Sequence, residues 1–181
     1  PADAEEVKKM VAAIIKYKGP VYLRINRNDL PVFTSPKGEF QIGKIYPVTE
    51  GSLAKASADA VIFATGVMVS KSVEAAEKLK AKGISVQVLN VSTLKPLNKK
   101  EVLKYAAGKK AIIVAEEAVK TGGLGQAIAS LVIGEVKAKF ENVAIDDEFG
   151  ASSLNYDELL ARFGLSSDHV YKAVLKALKT K

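Results

Sequence analysis

Residues 60–64 (Ala-Val-Ile-Phe-Ala) and 111–115 (Ala-Ile-Ile-Val-Ala) contain no polar side chain on either of the two faces a β-strand presents. Successive side chains of a strand point to opposite sides, so a run that is apolar at every position must be covered on both. That excludes an antiparallel sheet with one wet face. It requires helices on both sides of a largely parallel sheet, joined by right-handed crossovers.

The stretches between these runs supply the helices. Val69, Val73, Ala76 and Leu79 fall at helical spacing and mark a helix that ends at Gly83, and a strand is predicted at 84–91. A short helix follows at 98–106. Beyond the 111–115 strand, Ile128, Leu131, Val132 and Val136 predict one long helix over 124–140, then a short strand at 143–145. Helices at 156–163 and 167–178 close the chain, the second burying Val170, Val174, Leu175 and Leu178; a further strand is expected at 42–48.

The first 41 residues do not continue this pattern. Val7, Met10, Val11, Ile14 and Ile15 define a helix over 3–18, with acids first and lysines last, and Gly19-Pro20 stops it. Residues 21–25 then read as a buried strand. An irregular stretch, 26–41, is punctuated by Pro31, Pro36 and Gly38 and reads as a linker. A lone helix and strand cannot cover two faces or satisfy two strand edges. The pair either docks on the downstream sheet or is the tail of another domain, and Pro1 in place of an initiator Met favours the second. At 181 residues the chain holds about 1.2 domains by length, and about 70% of its extended surface can be buried without staples.

Composition removes several classes of function. There is no Cys, which excludes disulfides and thiol chemistry and fits a reducing cytoplasm. No apolar run reaches the ~20 residues of a membrane span. The net charge of +7 suggests a polyanion partner, yet only Arg24, Arg27 and Arg162 among the 27 cations are arginine, and there is no Trp. Lysines spread over helix faces describe a solvated surface and not a nucleic-acid site.

Four groups of residues have chemical potential. Thr121-Gly122-Gly123-Leu124-Gly125 precedes a helix, where backbone amides can cradle a phosphate, although the third glycine of a dinucleotide fingerprint falls on Ile128. A free-standing nucleotide-binding module is one reading; close packing of helix on sheet is the other. Glu116-Glu117 and Asp146-Asp147-Glu148 follow strands, but neighbouring carboxylates point apart, and turn capping is the simpler role. His169, the single histidine, supports no triad and no metal set. Arg27, in Asn26-Arg27-Asn28-Asp29-Leu30-Pro31, directly follows the predicted strand, where its guanidinium fork can hold a phosphate or carboxylate or form a structural salt bridge.

Taken in order, these segments resemble the C-terminal part of the transketolase family of thiamine diphosphate enzymes, whose relatives include deoxyxylulose phosphate synthases and 2-oxo-acid dehydrogenase beta subunits. The carrying segments are Pro1-Ala2-Asp3-Ala4-Glu5, Gly19-Pro20-Val21-Tyr22-Leu23-Arg24, residues 26–31, Ala64-Thr65-Gly66, residues 91–97, Glu116-Glu117 with Gly122-Gly123-Leu124-Gly125, Asp147-Glu148-Phe149-Gly150, and Phe163-Gly164-Leu165. The resemblance implies an α/β three-layer sandwich with a mostly parallel sheet over 42–181, a linker at 31–41, and a helix-strand remnant of the pyrimidine-binding domain at 1–30. It implies two-carbon ketol transfer between sugar phosphates, the chemistry of the pentose phosphate pathway, in a cytoplasmic and homodimeric assembly. Thiamine diphosphate and Mg²⁺ are then held by an N-terminal part upstream, with no cofactor, metal or catalytic residue on this chain, which is inactive alone. Arg27 matches the arginine of the transketolase Arg-x-x-Leu-Pro pattern, implied to contact the substrate phosphate. A synthase or a dehydrogenase beta subunit is the alternative within the family.

Overall fold

A computed structural model of the chain describes residues 1–35, 37, 40–48 and 58–179. The elements are α1 (Ala4–Lys16), β1 (Tyr46–Pro47), β2 (Ala60–Ala64), α2 (Met68–Lys80), β3 (Val86–Asn90), α3 (Lys99–Ala106), β4 (Ala111–Val119), α4 (Leu124–Val132), β5 (Lys139–Ile145), α5 (Tyr156–Arg162) and α6 (Ser167–Leu178). The five strands form one sheet in the order β1-β3-β2-β4-β5. All neighbours are parallel except β1, which runs antiparallel along β3.

Both faces of this sheet are covered, as the apolar runs require. Ala60, Ile62 and Ala64 of β2 lie with Val88 and Ile113 against α2 and α6. Val61 and Phe63, one residue out of phase, lie with Leu89, Ile112 and Val114 against α3 and α4. Every residue of β2 and β3 is buried. The result is a three-layer α/β sandwich with two cores of opposite strand parity. No helix among the described residues is long and apolar enough to cross a membrane.

The structure differs from the sequence reading at definite places. The predicted helix over 124–140 stops at Val132, because Gly134 takes φ +76°, a left-handed turn that glycine makes without steric cost. The chain it releases starts β5 at Lys139, paired with Ala111, so the short strand expected at 143–145 is seven residues long. β4 likewise continues past Ala115 to Val119. Of the expected 42–48 strand, β1 spans only residues 46–47, and the Val48 amide continues the contact by donating to the Val88 carbonyl at 3.0 Å.

The largest difference is at 21–25, where no strand forms. The segment has no regular structure and is largely exposed, with Tyr22 89% and Ile25 55% accessible. A strand exists only by pairing, and among the described residues no neighbour lies beside this one.

Helix α1 spans 4–16 within the predicted 3–18, and its N-cap, Asp3, anchors it. The Asp3 carboxylate accepts from the Glu6 amide at 2.9 Å, from Phe33 N at 3.0 Å, and from Thr34 N and Oγ1 at 2.7 and 2.6 Å. Burial raises the carboxyl's pKa, but these donors outweigh it and hold it below the usual range. The segment at 31–35 has no regular structure, as a linker would, yet is tied back to α1 through these bonds. Pro36 and Gly38, which helped define the linker, lie outside the described residues.

Candidate functional site

A cleft of 1220 Å³ opens at the carboxyl ends of β2, β3 and β4, the end at which α/β sheets gather their ligands. Its floor is made by the turn after β2 (Thr65, Gly66), the loop after β3 (residues 92–96) and the end of β4 (Glu117). Its opposite wall is the irregular segment 20–28 with the inner side of α1. Arg27 stands on that wall, exposed, and no hydrogen bond or ion pair to it is seen among the described residues.

The backbone around Arg27 is nevertheless fixed. Asn26 Oδ1 accepts from the Asn28 amide at 2.8 Å and from Asn28 Nδ2 at 3.0 Å, which closes a turn with Arg27 at its apex. Asn26 Nδ2 donates to the Tyr156 hydroxyl at 2.7 Å, and that hydroxyl donates onward to Glu117 Oε1, also at 2.7 Å. Arg24 adds a second tie: its guanidinium donates to the Glu117 carbonyl at 3.1 Å and lies 3.6 Å from the carboxylate. Burial, followed by the bond to Glu117, pushes the Tyr156 phenol well above its ordinary value, so it stays a neutral donor.

Glu116, the neighbour of Glu117, points the other way and is buried. Its two oxygens accept from Leu124 N at 2.6 Å and Gly125 N at 2.8 Å, with Asn142 Nδ2 at 3.4 Å. The carboxylate therefore sits on the N-terminus of α4, where a phosphate would have to bind, and supplies the negative charge that end of a helix favours. The glycines make room for it. A Cβ on Gly123 would lie 2.4 Å from Glu116 Oε2, and one on Gly125 would lie 2.1 Å from Asn142 Nδ2. Of the two readings of residues 121–125, the structure gives close packing and leaves no phosphate cradle.

The remaining sequence candidates disperse. Asp146 pairs with Lys120 at the surface, and the Glu148 amide donates to the Asp146 carbonyl in a tight turn. His169 Nδ1 lies 2.7 Å from Ser166 Oγ in the first turn of α6. Among the described residues no three His, Asp or Glu side chains gather into a metal-ligating group. Sequence reading missed Tyr156 and the separate roles of Glu116 and Glu117. Only the Asn26-x-Asn28 turn left a local signal, that of a side chain closing its own turn.

This geometry defines a three-layer α/β domain carrying an arginine arm across the carboxyl ends of its parallel strands. The chain belongs to the family of the transketolase C-terminal domain, whose family model matches residues 50–170. It is 34% identical over its whole length to the 6-deoxy-6-sulfo-D-fructose transketolase subunit of Clostridium sp. (strain MSTE9), covering 54% of that protein. It is 32% identical to a putative transketolase C-terminal section from Methanocaldococcus jannaschii, with 99% of this chain and 54% of that protein covered. Among solved structures, a split gene transketolase described as an inactive beta4 tetramer is similar with a TM-score of 0.89 at 35% identity, covering all of this chain and 57% of its own. The chain spans about half the length of the curated relatives it matches.

Proposed function

We propose that this chain supplies the C-terminal domain, and with it a substrate-anion arm, to a thiamine diphosphate-dependent transketolase that moves a two-carbon ketol unit between sugar phosphates. Residues 42–181 form the C-terminal domain, 31–41 the linker, and 1–30 the end of the neighbouring pyrimidine-binding domain. The active assembly is cytoplasmic and homodimeric, and works in the pentose phosphate pathway. It includes an N-terminal part that carries the cofactor. Relatives named as a transketolase subunit and as a C-terminal section support that division, and so does a similar solved structure described as inactive.

Among the described residues, the helix start that most resembles a diphosphate site does not suit thiamine diphosphate and Mg²⁺. This glycine-bearing helix start is filled by the Glu116 carboxylate, and a second anion there would meet repulsion in a partly dry site. The cofactor therefore belongs to the rest of the assembly, and the chain alone neither binds it nor turns over sugars.

Arg27 carries this reading. An always-charged guanidinium, without a partner among the described residues, stands on a fixed turn at the wall of the cleft, where it can take a terminal phosphate in a bidentate grip. Two relatives are named for anionic sugars, a 6-deoxy-6-sulfo-D-fructose and an apulose-4-phosphate, and the same fork accepts either anion. The test compares ribose 5-phosphate with ribose as acceptors in the assembled enzyme. Arg27→Ala is expected to raise KM for ribose 5-phosphate about 10- to 100-fold, from the loss of a charge-assisted contact, and to leave KM for ribose unchanged. Equal losses for both acceptors would assign Arg27 to structure.

A further inference from the structure

Among the described residues nothing bonds to the Arg27 guanidinium, and an arginine on an unfixed turn would lose side-chain and backbone entropy each time it bound an anion. The residues that hold its turn therefore matter to affinity. They come from both sides of the cleft. Asn26 and Asn28 belong to the segment itself, whereas Glu117 lies near the end of β4 and Tyr156 opens α5. Asn26 and Tyr156 are 130 residues apart in sequence, and Tyr156 and Glu117 are 39 apart.

The far side of this contact is rigid. Tyr156 is the first residue of α5, whose N-cap Asn155 accepts from the amides of Asp157 and Glu158 at 2.9 and 3.3 Å. Its ring packs against the α2–α6 core. Its hydroxyl uses one donor and one acceptor position at once, receiving Asn26 and giving to Glu117, each at 2.7 Å. Such a hydroxyl fixes the direction of Asn26, because turning the amide would face two acceptors or two donors together. Asn26 then has only its oxygen left to close the turn on which Arg27 sits.

We infer that Tyr156 is a positioning residue for the substrate anion: through Asn26 it locks the Asn26–Asn28 turn and presents Arg27 to the terminal phosphate or sulfonate of the sugar. This gives the C-terminal domain a part in substrate selection that involves no contact with the substrate. It rests on the reading of Arg27 as the anion contact. Arg24 does not substitute for it, because its guanidinium is engaged by the Glu117 carbonyl and carboxylate.

The experiment uses the assembled enzyme with ribose 5-phosphate and ribose as acceptors, and compares Arg27→Ala, Tyr156→Phe, Asn26→Ala and Tyr156→Phe/Asn26→Ala. Tyr156→Phe keeps the ring in the core and removes only the hydroxyl. It is expected to raise KM for ribose 5-phosphate about 3- to 10-fold, the effect of one or two hydrogen bonds, with kcat and KM for ribose unchanged. Asn26→Ala is expected to do the same from the other end, and the double variant to be no worse than the more affected single variant, as for residues acting in one chain. Tyr156→Phe in the Arg27→Ala background should then have no effect on KM. If Arg27→Ala is selective for the phosphorylated acceptor and Tyr156→Phe is not, the positioning role is wrong and the anion reading stands. Equal KM losses for both acceptors on Tyr156→Phe would make the tyrosine structural. If Arg27→Ala itself shows no selectivity, the underlying reading fails.

Discussion

The carboxylate of Glu6, on α1, accepts two hydrogen bonds from the side-chain amide of Asn90, at the end of β3, at 2.9 and 3.0 Å across 84 residues of sequence. It also accepts from Ser92 Oγ and from the Ala2 amide, so a buried charge next to the sheet is surrounded by donors. This knot joins α1 to the sheet, and that of Asp3 ties it to residues 33–34, while Val11 and Ile15 remain exposed. Helix α1 is thus anchored to the domain by polar bonds, with apolar surface left outside.

Asp3 makes that anchor pH-dependent. Its folded pKa lies below the unfolded value, so its stabilisation is present above about pH 4 and is lost as pH falls through the folded pKa. Asp3→Asn should lower stability by about 2 kcal/mol at pH 7, since it replaces a charged acceptor that serves four donors. The gap between the two proteins in urea melts should close as pH is lowered below 4.

At the start of α4, Gly125→Ala should cost roughly 1–3 kcal/mol, because the new methyl meets Asn142 and overpacked sites strain their neighbours. Shortening that neighbour with Asn142→Ala should recover most of the loss, measured by thermal melts of the two singles and the double. Adenine nucleotides should leave the melting temperature unchanged, whereas a true ligand at a hundred times its Kd would stabilise by about 2.7 kcal/mol.

Tyr156 gives a prediction at the alkaline end. With its folded pKa raised, its contribution is fully present below about pH 10 and is lost as pH rises toward the folded value. Tyr156→Phe should therefore cost about 1 kcal/mol at pH 8, and its stability curve should converge with that of the parent between pH 10 and 11. Denaturant melts across that range check the sign.

What the sequence made legible follows from where each signal resides. Strand β2 and helix α6 were read with their observed bounds, because continuous apolarity and a clean helical period are properties of the local chain. The strand expected at 21–25 has a weaker form of this signal, broken by Arg24, and does not form, because pairing is supplied by neighbours that local sequence does not contain. Helix α4 was overextended because Val136 falls on its apolar face, although Gly134 ends the helix and Val136 packs in the same core from outside it. In the site, the motif brings Arg27 and the Glu116-Glu117 pair to notice, and the structure places Arg27 on the cleft wall. The meeting of Tyr156 and Glu117 with Asn26 has no local signal, since it depends on how the fold brings distant segments together.

The division between substrate arm and cofactor site is tested most directly by isothermal titration of this chain with thiamine diphosphate and Mg²⁺. The account predicts no saturable heat, because Glu116 already fills the helix start that could take a diphosphate. One-site binding with a micromolar Kd would contradict it.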